Sequence, residues 1–119
     1  MPGISTSDAY SFVLLDTDSG VAGVDTLYVA EKTAGLKKFT FNGTTWSLKW
    51  TSVTGIKGVA GVVVGSSVKL AATTSAADPN SIVVFTDAGG FTGTSAPSSS
   101  SIATAGTNTA YRGLALSPH

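Results

Sequence analysis

An all-β chain built from a repeated sheet is predicted by three features of the sequence. Composition is the first: 14 glycines, abundant Ser, Thr and Val and only 12% charged residues, with a mean hydropathy of +0.28, suit alternating strands and turns better than helices with solvated faces. The second is a series of short β-branched or aromatic runs, each bounded by Gly, Asn, Asp or Ser. The third is recurrence. Gly55-Ile56-Lys57-Gly58-Val59-Ala60 returns as Ala110-Tyr111-Arg112-Gly113-Leu114-Ala115, 55 residues later. A weaker copy, Ala9-Tyr10-Ser11-Phe12-Val13-Leu14-Leu15, places Tyr10 46 residues before Ile56. Short strands repeating every ~40–55 residues are the signature of propeller blades. The expected architecture is a β-propeller fragment: two four-stranded antiparallel blades plus one extra strand, in a single segment spanning 1–119.

Nine strands are expected. Tyr10 to Asp16 is apolar and ends at Thr17-Asp18-Ser19-Gly20, a turn-forming run. Thr26 to Glu31 follows. Leu36 to Phe41 sets Leu36 and Lys38 against Lys37, Phe39 and Phe41, and stops at Asn42-Gly43, a strong hairpin signal because both residues tolerate positive φ. Thr45 to Val53 returns and completes blade one, about 10–53. Lys57 to Val64 is apolar from Val59 onward, the pattern of a strand covered on both faces. Val68 to Thr74, Ser81 to Asp87 and Ser101 to Gly106 complete blade two, about 56–106. Tyr111 to Ser117 is the candidate closing strand, about 110–117. Leu36 and Phe39 match Ile82 and Phe85 at an offset of 46, and Leu27 matches Leu70 at 43, as stacked blades require. In a blade the innermost strand is short, small and apolar, which fits Val59-Ala60-Gly61 and Leu114-Ala115-Leu116. The shared Lys/Arg-Gly context predicts that Gly58 and Gly113 occupy equivalent places near the channel.

Three stretches carry a resemblance: Asp25-Thr26-Leu27-Tyr28-Val29-Ala30-Glu31, then Gly35 through Trp46, then Asn108 through Pro118. Together they resemble the C-terminal blades of large bacterial propeller proteins of unassigned role. The resemblance covers nearly the whole chain, and its motifs are structural. The aspartate usual after the first strand motif of that family is Glu31 here. WD-repeat, kelch and aspartate-box signatures are missing. The resemblance implies a fold and no catalytic residue.

Seven basic and seven acidic residues give a formal net charge of zero, which provides no field to steer nucleic acid or an anionic membrane. No apolar run reaches the ~18 residues needed to span a bilayer. Met1-Pro2-Gly3 is followed by neither a basic region nor an apolar one, so the start reads as a mature or excised boundary rather than a signal peptide. With no cysteine there is neither a disulfide framework nor a clue to compartment. The lone histidine, His119, is terminal, and without a Gly-x-Ser-x-Gly elbow there is no nucleophile–base pair. No enzyme activity and no cofactor are expected.

Four features remain as candidate binding chemistry. Asp16, Asp18 and Asp25 border a glycine-bearing loop that could gather oxygens around Ca²⁺, although the EF-hand pattern is incomplete and local amide capping explains the same residues. Lys57 and Arg112 recur before the inner strand and could bond carbonyls at the ring entrance or hold an anion in the channel. Trp46 and Trp50 are expected between blades, with a sugar-stacking platform as the alternative. Asn42-Gly43-Thr44 is formally a glycosylation sequon, which the hairpin turn explains, and Ser95 to Ser101 reads as a variable loop.

Two blades cannot close a ring, since each blade face needs a neighbour. The expected solution is head-to-tail self-assembly, with three copies giving six blades or four copies giving eight. The expected function is therefore a non-catalytic scaffold or interaction module whose partners are copies of itself. A carbohydrate-binding, lectin-like module with a glycan partner is the alternative.

Overall fold

The structure, a computed structural model, describes residues 9–32, 35–52, 55–65, 67–74, 81–95, 97 and 99–104. The described residues form eight strands: β1 (Ala9–Leu15), β2 (Thr26–Glu31), β3 (Gly35–Phe41), β4 (Trp46–Thr51), β5 (Ile56–Val64), β6 (Ser67–Thr74), β7 (Ser81–Asp87) and β8 (Ser99–Thr104). They contain no α-helix, only a single 3-10 turn over Gly90–Thr92. The strands make two antiparallel meanders, sheet A in the order β1-β2-β3-β4 and sheet B in the order β5-β6-β7-β8. The expected closing strand, with Gly113, lies outside the described residues.

The Asn42-Gly43 turn is wider than a two-residue hairpin. Phe41 pairs with Trp46, leaving a four-residue loop in which Gly43 takes φ 98° and Asn42 Oδ1 accepts the backbone N–H groups of Thr44 and Thr45, both at 2.9 Å. The Asn42 N–H also donates to Thr45 O at 3.2 Å, so a backbone bond and the asparagine side chain close the turn together.

Register aligns the two sheets strand for strand. The cross-strand pair Leu27 and Phe39 of sheet A corresponds, at offsets of 43 and 46, to the cross-strand pair Leu70 and Phe85 of sheet B. Tyr28 and Lys38, paired next to them, correspond to Ala71 and Val84. Both first strands carry a register shift, between Ala9 and Ser11 in β1 and between Ile56 and Gly58 in β5. This corrects the sequence alignment by one residue: Ala9, not Tyr10, matches Ile56, and Tyr10 matches Lys57 as the extra residue of a β-bulge.

The sheets pack face to face and approach most closely where β1 and β2 meet β5. Ser11 Oγ of β1 accepts the Val59 N–H of β5 at 3.4 Å. At Gly61 a Cβ would lie 2.7 Å from Leu70 Cδ2 and 3.6 Å from Leu15 Cδ1, so the missing side chain is what lets Leu15 settle against sheet B. The inter-sheet core joins Tyr28, Ala30, Leu36 and Trp50 to Val59, Val68, Leu70, Ala72, Val83 and Phe85. A second cluster, Leu27, Val29, Phe39 and Trp46 with Leu14 and Phe41 against it, lies on the far face of sheet A, and its described members all come from that sheet. On the far face of sheet B, Val62 and Val64 are 40% and 51% exposed. Their exposure corrects the reading of β5 as covered along its whole length. The first part of the strand is buried, and all three valines of its end are exposed in the single chain, Val63 at 36% included.

Candidate functional site

Among the described residues, two groups of buried polar contacts stand out, in a loop beside β2 and at the joint between the sheets. In the loop, Asp25 is buried and its carboxylate is surrounded by donors. Oδ1 accepts from Thr17 N–H at 2.9 Å and from the Thr17 and Thr26 hydroxyls, both at 2.8 Å; Oδ2 accepts Asp18 N–H at 2.7 Å. Burial raises the pKa of this carboxyl, and the four donors more than offset it, holding it below the usual carboxylate range. Asp18 Oδ1 accepts Gly20 N–H at 2.9 Å, while Asp16 is exposed. Asp25 therefore pins the ten-residue connection as a local capping group does. Among the described residues no three acidic, His or Cys side chains converge to hold a metal ion.

The joint was not anticipated. Lys38 on β3 and Asp87 at the end of β7 are 0% and 2% exposed and meet as an ion pair, Nζ to Oδ2 at 2.6 Å. The same oxygen accepts the Tyr28 hydroxyl at 2.7 Å. Lys38 Nζ stands 6.0 Å from the centre of the Tyr28 ring, and that ring packs on Trp50 at 5.9 Å. Burial, then the hydrogen bond to the Asp87 carboxylate and its charge, push the Tyr28 phenol far above its ordinary 10.0. A second ion pair, Lys37 Nζ to Glu31 Oε2 at 2.7 Å, places Glu31 on the far face of sheet A.

A raised phenol pKa has a definite sign for stability. The folded state holds the Tyr28 proton at pH values where the unfolded chain, with a phenol near 10, has lost it. The contribution is complete below pH ~10 and falls by about 1.4 kcal/mol per pH unit above it. Alkaline melting curves should fall more steeply for the parent protein than for Tyr28→Phe. Parallel curves above pH 10 would show that this hydroxyl is not held by Asp87.

The other expected site residues are dispersed. Trp50 belongs to the inter-sheet core and Trp46 to the far-face cluster, beside Phe41 at 5.2 Å. The rings are 5% and 6% exposed, so neither presents a face on which a sugar could stack. Lys57 is half-buried at the β5 bulge, and Arg112 lies outside the described residues. The signal for the Lys38–Asp87 pair lies in the matched positions: Lys38 stands where sheet B has Val84, and Asp87 where sheet A has Phe41. A cation and an anion that break the repeat once each, on facing sheets, mark partners.

No protein family, curated protein or solved structure matches the chain.

Proposed function

We propose that the chain is a non-catalytic propeller scaffold whose two blades are completed by other copies of itself into a closed ring of three or four subunits. The reading rests on the sense in which the sheets stack. Leu27 and Phe39 lie in the far-face cluster of sheet A, whereas their equivalents Leu70 and Phe85 lie in the inter-sheet core. Equivalent faces thus look the same way, head to tail. The far face of sheet B is then equivalent to the face by which sheet A binds sheet B, and the surface that fits it is the far face of another sheet A. Phe12 and Leu48, 65% and 52% exposed on that second surface, are apolar as Val62 and Val64 are. Such a contact is heterologous and repeats until rotation closes the ring. The close approach of β1 to β5 supports placing the first strand of each blade innermost, in keeping with the resemblance to bacterial propeller blades.

The partner is a second copy of the chain, through contacts that bury roughly 2,000 Å² or more. Small-angle scattering tests this directly. The single chain has a radius of gyration of 14.0 Å, and three compact copies should give about 20 Å or more. A value that stays near that of the single chain at every concentration would refute the ring.

A further inference from the structure

The first strands of the two sheets carry side chains of opposite size on their two faces. Past their bulges β1 and β5 match at an offset of 47, because Ser11 and Gly58 pair with Ala30 and Thr73, which are 43 apart as Leu27 and Leu70 are. Phe12 is therefore the equivalent of Val59, Val13 of Ala60 and Leu14 of Gly61. Val13 packs against the inter-sheet core and Leu14 against the far-face cluster, so alternation along β1 puts Phe12 on the far face with Leu14.

Within the chain the small members of the joint stand on sheet B and the large ones on sheet A. Val59 shares the inter-sheet core with Tyr28, and Val13 packs against that core. Ser11 Oγ accepts the Val59 N–H, and Gly61 admits Leu15. On the far faces each size changes in the opposite sense. Phe12, 65% exposed, stands where Val59 did and Leu14 where Gly61 did. On sheet B, Gly58 replaces Ser11, Ala60 replaces Val13 and Ala71 replaces Tyr28. Protein interiors pack at crystal-like density, so a large side chain on one surface requires a recess opposite. That recess exists on sheet B as the hollow of about 310 Å³ lined by Ala60, Ala71 and Val84, with the hydrogen-bonded Lys69 and Thr86 in its wall.

We infer that Phe12 of one copy enters this hollow in the next, and that the reversal of size fixes the order of the sheets. The inference deepens the ring proposed above and rests on it. The far face of one sheet A against the near face of another would set Phe12 on Tyr28 and Val13, large against large. The near face of one sheet B against the far face of another would set Val59 and Gly61 over Ala60 and Ala71 and leave a void. Only strict alternation of the two sheets fills every joint, so each copy accepts the next in one order alone.

The test is sedimentation equilibrium on the full chain and three variants, each with its strand content verified by circular dichroism. Phe12→Val should weaken association roughly tenfold or more, as the loss of an aromatic anchor does. Ala71→Tyr should leave the 11.9 kDa chain alone, because the hollow is filled while Phe12 remains. Phe12→Val combined with Ala71→Tyr restores the sizes of Val59 and Tyr28 and should recover the parental mass, with a Kd within about tenfold of the parent's. A parent ring whose mass and affinity survive in both single variants would overturn the contact and leave the ring standing. So would a double variant that associates no better than Ala71→Tyr. A parent that stays at 11.9 kDa at every concentration would refute the ring itself, and this contact with it.

Discussion

Lys38→Met is expected to destabilise the fold by about 3–5 kcal/mol, because it leaves the Asp87 carboxylate buried with its charge uncompensated. Asp87→Leu should cost a similar amount for the opposite reason, an ammonium group left at 0% exposure. The two losses should not add. With both residues changed to Met and Leu no charge is stranded, and the desolvation that the native pair already suffers disappears, so the double variant should lie within about 2 kcal/mol of the parent. In thermal melts each single variant should lose about 10 °C or more, and the double variant should regain most of it. Single variants that melt within a few degrees of the parent would show that the pair is solvated rather than sealed between the sheets.

The second large effect concerns assembly, and it follows from what replaces that pair at the open surfaces. The equivalents of Tyr28 and Lys38 on the far face of sheet B are Ala71 and Val84, and the equivalent of Asp87 on sheet A is Phe41. Ala71 and Val84 line an apolar hollow of about 310 Å³ with Ala60 and Val62, where a large ring can be received. Within the chain the joint is therefore ionic, whereas in the proposed ring its equivalent between copies pairs Ala71 and Val84 with Phe41, beside the Lys69 to Thr86 hydrogen bond. Val84→Lys should abolish association by forcing a cation against Phe41, and Phe41→Asp should do the same by burying a carboxylate against Val84. Combined in one chain, the two changes transplant the internal pair into the joint between copies and should restore assembly. Restoration by the double variant, with the fold of each variant verified by circular dichroism, would identify the two residues as partners. Single variants that keep the parental mass would place the contact elsewhere.

The strands were legible because their signals are local. Gly, Asn and Asp stand at the strand ends, and the runs between them are β-branched or aromatic, so eight observed strands fall within about two residues of expectation. The offsets of 43 and 46 matched β2 to β6 and β3 to β7, and the cross-strand pairs Leu27 with Phe39 and Leu70 with Phe85 agree with those matches without having been contained in them. The bulges were not legible, since an extra residue in a strand leaves no mark in composition, and the match of Tyr10 to Ile56 was consequently off by one. Lys38 was seen to alternate with Phe39, but lysines at both 37 and 38 hid which of them was buried. Asp87 resembled a strand-ending residue. Trp50 lies between the two sheets, and the far-face position of Trp46 follows from the register shift between Lys38 and Phe39, which moves β4 by one residue against β3. Asp25 gave the same sequence signal as a metal ligand or a loop cap, because both use a carboxylate beside a glycine; the direction of the Thr17 and Asp18 amides separates them.

The claim on which the rest depends is that the far faces of the two sheets are halves of one joint. Its most direct test is the mass of the intact protein in solution, measured by sedimentation equilibrium over a dilution series. A closed ring predicts a single species of three or four times the 11.9 kDa chain, its stoichiometry unchanged until dilution separates the subunits. A stable, folded species of 11.9 kDa across the whole series, or a mass that climbs without limit as concentration rises, would contradict it.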